Sequence, residues 1–157
     1  MRCSKHSTDD SGDSSGERGS ASLEFIVAGL LLLVPLVYLV LAVSTVQGAS
    51  LAVEGAARQA SRVFVQAGSP AEASAAAARA VEVTLADYGL EASDATVTIS
   101  CRPNPSACLT RRGFVTVSVE VRVPLPLAPP VLGVDVPAGV PLRSASTEQV
   151  SRFAGAR

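Results

Sequence analysis

The feature that most constrains this chain is one uninterrupted apolar run. Residues Phe25 to Val46 read FIVAGLLLLVPLVYLVLAVSTV, 22 positions without a charge. At 1.5 Å per residue, a helix of that length measures about 33 Å and matches a bilayer core of roughly 30 Å. A domain drawn from 157 residues has little interior in which to bury such a helix on all sides. The run is therefore expected to form one transmembrane helix rather than a core helix. Pro35 would break a soluble helix, but it is tolerated in a membrane and is expected to kink the span. Tyr38 falls in mid-span, away from either interface, and is expected to face a partner helix.

Composition agrees with the membrane reading. The chain is 48% hydrophobic and 17% charged, and the charged share lies below the usual quarter. A net charge of −1 gives no basic surface that points to nucleic acid, which is not expected as a partner. The one histidine, His6, stands in a polar stretch with no second histidine to pair it. That weighs against His-based metal sites and Ser-His-Asp chemistry, so the chain does not read as an enzyme and no cofactor is expected. Carboxylates such as Glu82 and Asp87 read as solvating a helix surface.

Residues 1–19, MRCSKHSTDDSGDSSGERG, are rich in Ser, Asp and Gly and lack periodic apolar positions. They are expected to be a disordered leader. A secretory signal has a short basic start and an apolar stretch of about 7–15 residues; here the leader is long and acidic and the apolar run too long. Val46-Gln47-Gly48-Ala49 is a weak signal-peptidase site, and cleavage there would remove the span. Cys3 has no apolar run before it and so does not read as a lipoprotein cysteine.

The junction reads Glu17-Arg18-Gly19-Ser20-Ala21-Ser22-Leu23-Glu24-Phe25. A glycine, four residues and then Glu-Phe entering an apolar helix resembles the cleavage site of type IV prepilins. More narrowly, ERGSASLEFIVAGLLLLVPL resembles the start of the TadE-like minor pseudopilins of tight-adherence (Flp-type) pili. The resemblance covers about residues 17–60. Pro35 departs from the family's pattern, standing further from the Glu-Phe pair than usual, which puts the position of the kink in question. The resemblance implies cleavage after Gly19 by a prepilin peptidase. It also implies that Glu24 sets axial register in an assembly. The implied partners are other pilus or pseudopilin subunits, or assembly-platform proteins, met through the N-terminal helix.

The chemistry of the junction can be argued apart from the family. Glycine before the scissile bond leaves the backbone accessible to a protease at the membrane face. Cutting there gives Ser20 a free ammonium, and Glu24 follows on the same helix face. A carboxylate at the lip of the hydrocarbon needs a partner, supplied by that amine or by a neighbouring subunit's. The plainer alternative is a carboxylate in the first helical turn, favoured by the dipole by about 0.3–1 kcal/mol.

Beyond the span, Val53, Ala56, Ala60, Val63, Phe64 and Ala67 recur at helical spacing, with Glu54, Arg58 and Arg62 on another face. Gly48, Ala52, Ala56 and Ala60 form a small-residue ladder that either permits close helix approach or reflects composition alone. A continuous helix from Glu24 to Ala67 would be about 66 Å long. Ser69-Pro70-Ala71-Glu72 reads as a capping box that starts a second helix, with a stripe of Ala73, Ala77, Val81, Leu85 and Tyr88 and a stop at Gly89. The period then changes to two, in Ala95 to Cys101 and in Val115 to Val123. The expected fold is α+β. It has a transmembrane helix over 20–47, head helices over 48–67 and 70–88, and antiparallel strands over 95–101, 114–123 and 143–150. The head itself comprises 48–157. Residues 124–141 carry six prolines and cannot form a central strand or helix. They are expected either to cover the head or to form an apolar surface patch that meets the membrane or another pilus protein.

Cys101 and Cys108 bracket six residues at the turn between the first two strands. The spacing is not that of a metal or redox pair. Outside the cytoplasm the pair would form a disulfide; inside, two free thiols. Arg and Lys counts beside the span do not set the orientation. The pair and the prepilin resemblance together favour a single-pass protein of the cytoplasmic membrane with its leader inside and its head outside, in contact with membrane lipid. Cys3 is left without a role. The chain thus reads as a minor pseudopilin of a Flp/Tad-type pilus or related secretion machine. The alternative is an uncleaved bitopic protein that displays a small binding domain.

Overall fold

A computed structural model describes residues 17–125 and 139–154. Two helices are followed by three strands: α1 (Glu17–Gln66), α2 (Pro70–Ala86), β1 (Ala95–Arg102), β2 (Phe114–Pro124) and β3 (Gly139–Gln149). A short 3₁₀ turn, Ala92–Asp94, leads into β1. The strands form an antiparallel sheet in the order β1-β2-β3, so the fold is α+β, as the sequence patterning predicts. The chain divides into two compact units between Leu39 and Val40. Expectations for Cys3, His6 and residues 126–138 lie outside the described residues.

Several boundaries differ from expectation. α1 is one helix from Glu17 to Gln66 and passes through Pro35. It begins before Ser20, and no boundary falls at residue 47. α2 ends at Ala86 rather than 88, and Tyr88 is 50% exposed instead of completing the buried stripe. β3 starts at Gly139, four residues before the expected 143, and ends at Gln149. The prolines that concealed this start are placed where a strand tolerates them. Val150 donates to the Gly113 carbonyl at 2.8 Å, marking a hydrogen-bonded pair. Stepping back by twos along the register puts Pro141, opposite Arg122, in a non-hydrogen-bonded pair. Its missing N–H therefore falls on the open edge of an outer strand. Pro124 is the last residue of β2, past the end of β1, so only β3 pairs with it there.

In the unit from Val40 onward, α1 and α2 cover one face of the sheet. Strict alternation in β2 sends Val115, Val117, Val119, Val121 and Val123 inward, all essentially inaccessible. Each such side chain contributes about 1.5–3 kcal/mol by leaving water. They meet Ala49, Ala52, Val53, Ala56, Ala57, Ala60 and Phe64 of α1 and Ala73, Ala77, Val81 and Leu85 of α2 in one core. Of the small-residue ladder, Ala52, Ala56 and Ala60 are buried in this core, so these three serve the chain's own packing. A Cβ on Gly55 would stand 3.4 Å from Thr84 of α2, which marks close approach of the two helices. The buried Ser61 donates to the Arg58 carbonyl at 2.9 Å and lies 3.0 Å from Ser146 Oγ, tying α1 to β3.

α2 is bounded by local chemistry. Ser69 Oγ accepts from the Glu72 N–H at 3.3 Å, as an N-cap should. Glu72 reaches back to the Gly68 N–H at 3.2 Å, one residue earlier than the capping box predicts. At the other end Gly89 has φ +70, its N–H donates to Ala86, and Leu90 donates to Leu85. These two bonds form a Schellman turn, and the positive φ requires Gly there.

Candidate membrane-anchoring and assembly segment

Among the described residues, α1 is the one helix long and apolar enough to cross a membrane, and none of its apolar window is buried. From Ala21 to Leu41 every residue is exposed except Tyr38, which is half-buried. A core helix of a soluble protein would be covered, so the exposure removes that reading of the run. Between Phe25 and Val46 stand 15 Leu, Ile, Val or Phe residues. At about −0.3 to −0.6 kcal/mol each on an insertion scale, they favour the bilayer by roughly 5–9 kcal/mol. That outweighs one carboxylate at the end of the run.

The sequence-predicted junction lies in the first turns of this helix. Gly19 and Ser20 are helical, so the bond between them sits inside α1 rather than ahead of it. Glu24 is exposed, four residues after Ser20 and on the same face, and Phe25 is 79% exposed. Further on, Thr45 donates to the Leu41 carbonyl at 2.9 Å, which satisfies its hydroxyl within the helix.

Cys101 and Cys108 form a disulfide with Cα atoms 5.1 Å apart. Cys101 is buried at the end of β1, and Cys108 packs against the core from the connection to β2. That connection closes with a turn in which Gly113 donates to the Thr110 carbonyl at 2.9 Å. A Cβ on Gly113 would come within 2.9 Å of the same oxygen, so the turn needs glycine there. Arg112 has φ 62, and its N–H donates to the Val150 carbonyl, so Arg112 and Gly113 together oppose Val150 as a bulge. The disulfide therefore ties β1 to a loop already shaped by its own turn.

Charge is distributed in a way that the net value conceals. Arg102, Arg111 and Arg112 flank the disulfide loop, and Arg111 Nε donates to the Ala154 carbonyl at 2.9 Å. This contact brings the C-terminal turn, with Arg152 stacked 4.7 Å over the Phe153 ring, to the same end of the sheet. Glu82, Asp87, Glu91 and Asp94 gather where α2 leads into β1. A sequence signal for both clusters existed: residues 80–101 hold four acids and no base, and 102–119 three arginines and no acid. Among the described residues the sole ion pair is Arg58 with Glu54, and no group of His, Cys, Asp and Glu could hold a metal ion. Compared with known proteins, the chain matches no protein-family model, no curated protein and no solved structure.

Proposed function

We propose that this chain is a membrane-anchored structural subunit, a minor pseudopilin of a Flp/Tad-type pilus or a related secretion machine, with no catalytic role. In this reading a prepilin peptidase cuts after Gly19. The apolar part of α1 then holds the mature chain in the cytoplasmic membrane, with the α+β head outside. The observation that carries the reading is the Gly19-x4-Glu24-Phe25 spacing, set where a polar leader meets the exposed apolar run in the first half of α1. The disulfide supports an extracytoplasmic head, because thiols in the cytoplasm are kept reduced. After cleavage, Glu24 pairs with the Ser20 ammonium of its own chain or of a neighbour, which offsets the cost of a carboxylate at the edge of the hydrocarbon.

The uncleaved bitopic reading has one observation in its favour: the scissile bond lies inside α1. A peptidase takes its substrate extended, so processing requires the first turn, Glu17 to Ser20, to fray. Terminal turns do so readily, since few hydrogen bonds hold them. N-terminal sequencing of the membrane form separates the two readings. Ser20 as the first residue supports processing, whereas Met1 or Arg2 rejects it. Gly19→Leu should leave full-length precursor in the membrane, and shortening by 19 residues in that variant would refute the assigned site. Glu24→Ala should still be cut but should enter the assembly poorly.

A further inference from the structure

The two ends of the head's sheet differ in net charge. The register also puts Glu120, Arg122 and Arg143 at the acidic end and Glu148 at the basic end, so each end keeps an excess of one sign rather than one sign alone. The acids Glu82, Asp87, Glu91 and Asp94 precede Ala95, the first residue of β1; Arg102 is its last, and Arg111 and Arg112 follow. Seven strand steps of about 3.3 Å put roughly 23 Å between the two ends of β1. The Debye length at physiological salt is about 8 Å, so the clusters do not neutralise each other within one chain. Both ends are solvent-exposed, and neither contains an ion pair among the described residues.

The two ends also differ in form. An open cleft at the acidic end is lined by Glu82, Ala86, Gly89, Leu90, Glu91 and Ser93, so carboxylates accompany an apolar lining. At the basic end the turn over residues 151–154 presents Arg152 stacked on Phe153, whose ring is 67% exposed. Ser151 Oγ accepts from the Phe153 N–H at 3.1 Å and Arg111 holds the Ala154 carbonyl, so the turn is fixed from both sides. A guanidinium on an exposed aromatic ring suits an apolar cleft with acidic side chains, because one part buries carbon while the other meets charge.

We propose that the Glu82/Glu91 cleft of one copy receives the Arg152–Phe153 tip of a second copy of this chain. The two surfaces are different patches, so the contact is heterologous and leaves one free cleft and one free tip on each pair. Copies can then continue to add, head to tail. The contact does not rest on processing at Gly19; it would persist in precursor that keeps its leader.

The test uses the full chain in its membrane, with Cys3→Ser removing the third cysteine. Ser93→Cys in the cleft and Gln149→Cys, exposed at the end of β3 just before the tip, leave the charges, Phe153 and the Ser151 hydrogen bond in place. With a short bis-maleimide, the double variant should give a ladder of dimers, trimers and larger species. Each single variant alone should remain monomeric, and the two singles co-expressed should stop at dimers. Arg152→Glu in the double variant should cut the cross-linked fraction at least about threefold, the scale of a surface ion pair. Adding Glu91→Arg should restore it, and that rescue excludes a misfolded head as the cause. A monomeric double variant would overturn the proposal. So would dimers from either single variant alone, since they require like patches to meet.

Discussion

Cutting the Cys101–Cys108 bond should destabilise the head by an amount that follows from its loop. The bond joins residues seven apart, so it closes about eight residues, and the chain-entropy relation gives roughly 2.5 kcal/mol. Pro103 and Pro105 already restrict the unfolded loop, which lowers the expectation to about 2 kcal/mol. Cys108→Ala is the cleaner perturbation, because Cys101 is 5% exposed and still fills its place in the core as a thiol. Urea titration of the full chain in non-ionic micelles, followed by circular dichroism, isolates the head, since a helix in detergent resists urea. With a slope of about 1 kcal/mol/M, the midpoint should fall by about 2 M. Reducing the unaltered protein should give the same fall. A shift under about 0.5 M in both experiments would refute the reasoning, and would mean that the Thr110–Gly113 turn alone orders the loop.

Ala56→Leu should cost about 1–3 kcal/mol by overpacking a fully buried site, whereas Gly48→Ala, which meets nothing within 4 Å, should cost nothing and gain up to about 1 kcal/mol of helix propensity; the same urea midpoints check both. Gly89→Ala should lose about 1–2 kcal/mol because the site has φ +70, and Ser69→Ala about 1 kcal/mol because the Glu72 N–H loses its acceptor. Arg112→Gly should raise the midpoint by the equivalent of about 1 kcal/mol, and a fall would show that the arginine side chain contributes more than its backbone strain costs.

What could be read from the sequence was whatever local chemistry decides. Ser69, Glu72 and Gly89 mark the ends of α2 by capping and backbone freedom, and the Val115–Val123 alternation marks β2 by its period. The apolar run needed only its length. What escaped depended on partners distant in the chain. The start of β3 was hidden because Pro141 argues against a strand until the open edge beside it is known. The alanine ladder read equally well as a surface for other helices, and only the valines of β2 show what covers it. The missing boundary in α1 has a similar cause, since a membrane helix and a head helix share one backbone pattern and differ only in surroundings. Net charge is a sum, and a sum cannot register that acids are in excess at one end of a sheet and arginines at the other. For the junction, the structure supplies the helical state of Gly19, which the motif alone left unspecified.

α1 has a consequence for any attempt to study the head in water. Its turns from Ala49 to Phe64 contribute seven side chains to the core, more than α2 does. A fragment starting at Pro70 would keep α2 but lose the larger part of the cover over the valine row of β2, leaving apolar sheet surface and open edges prone to edge-to-edge aggregation. A fragment starting at Gln47 would keep every core side chain of α1 and shed the greasy segment. The useful point of severance is thus inside a helix, eighteen residues or more before its end, where no loop or change of secondary structure advertises it.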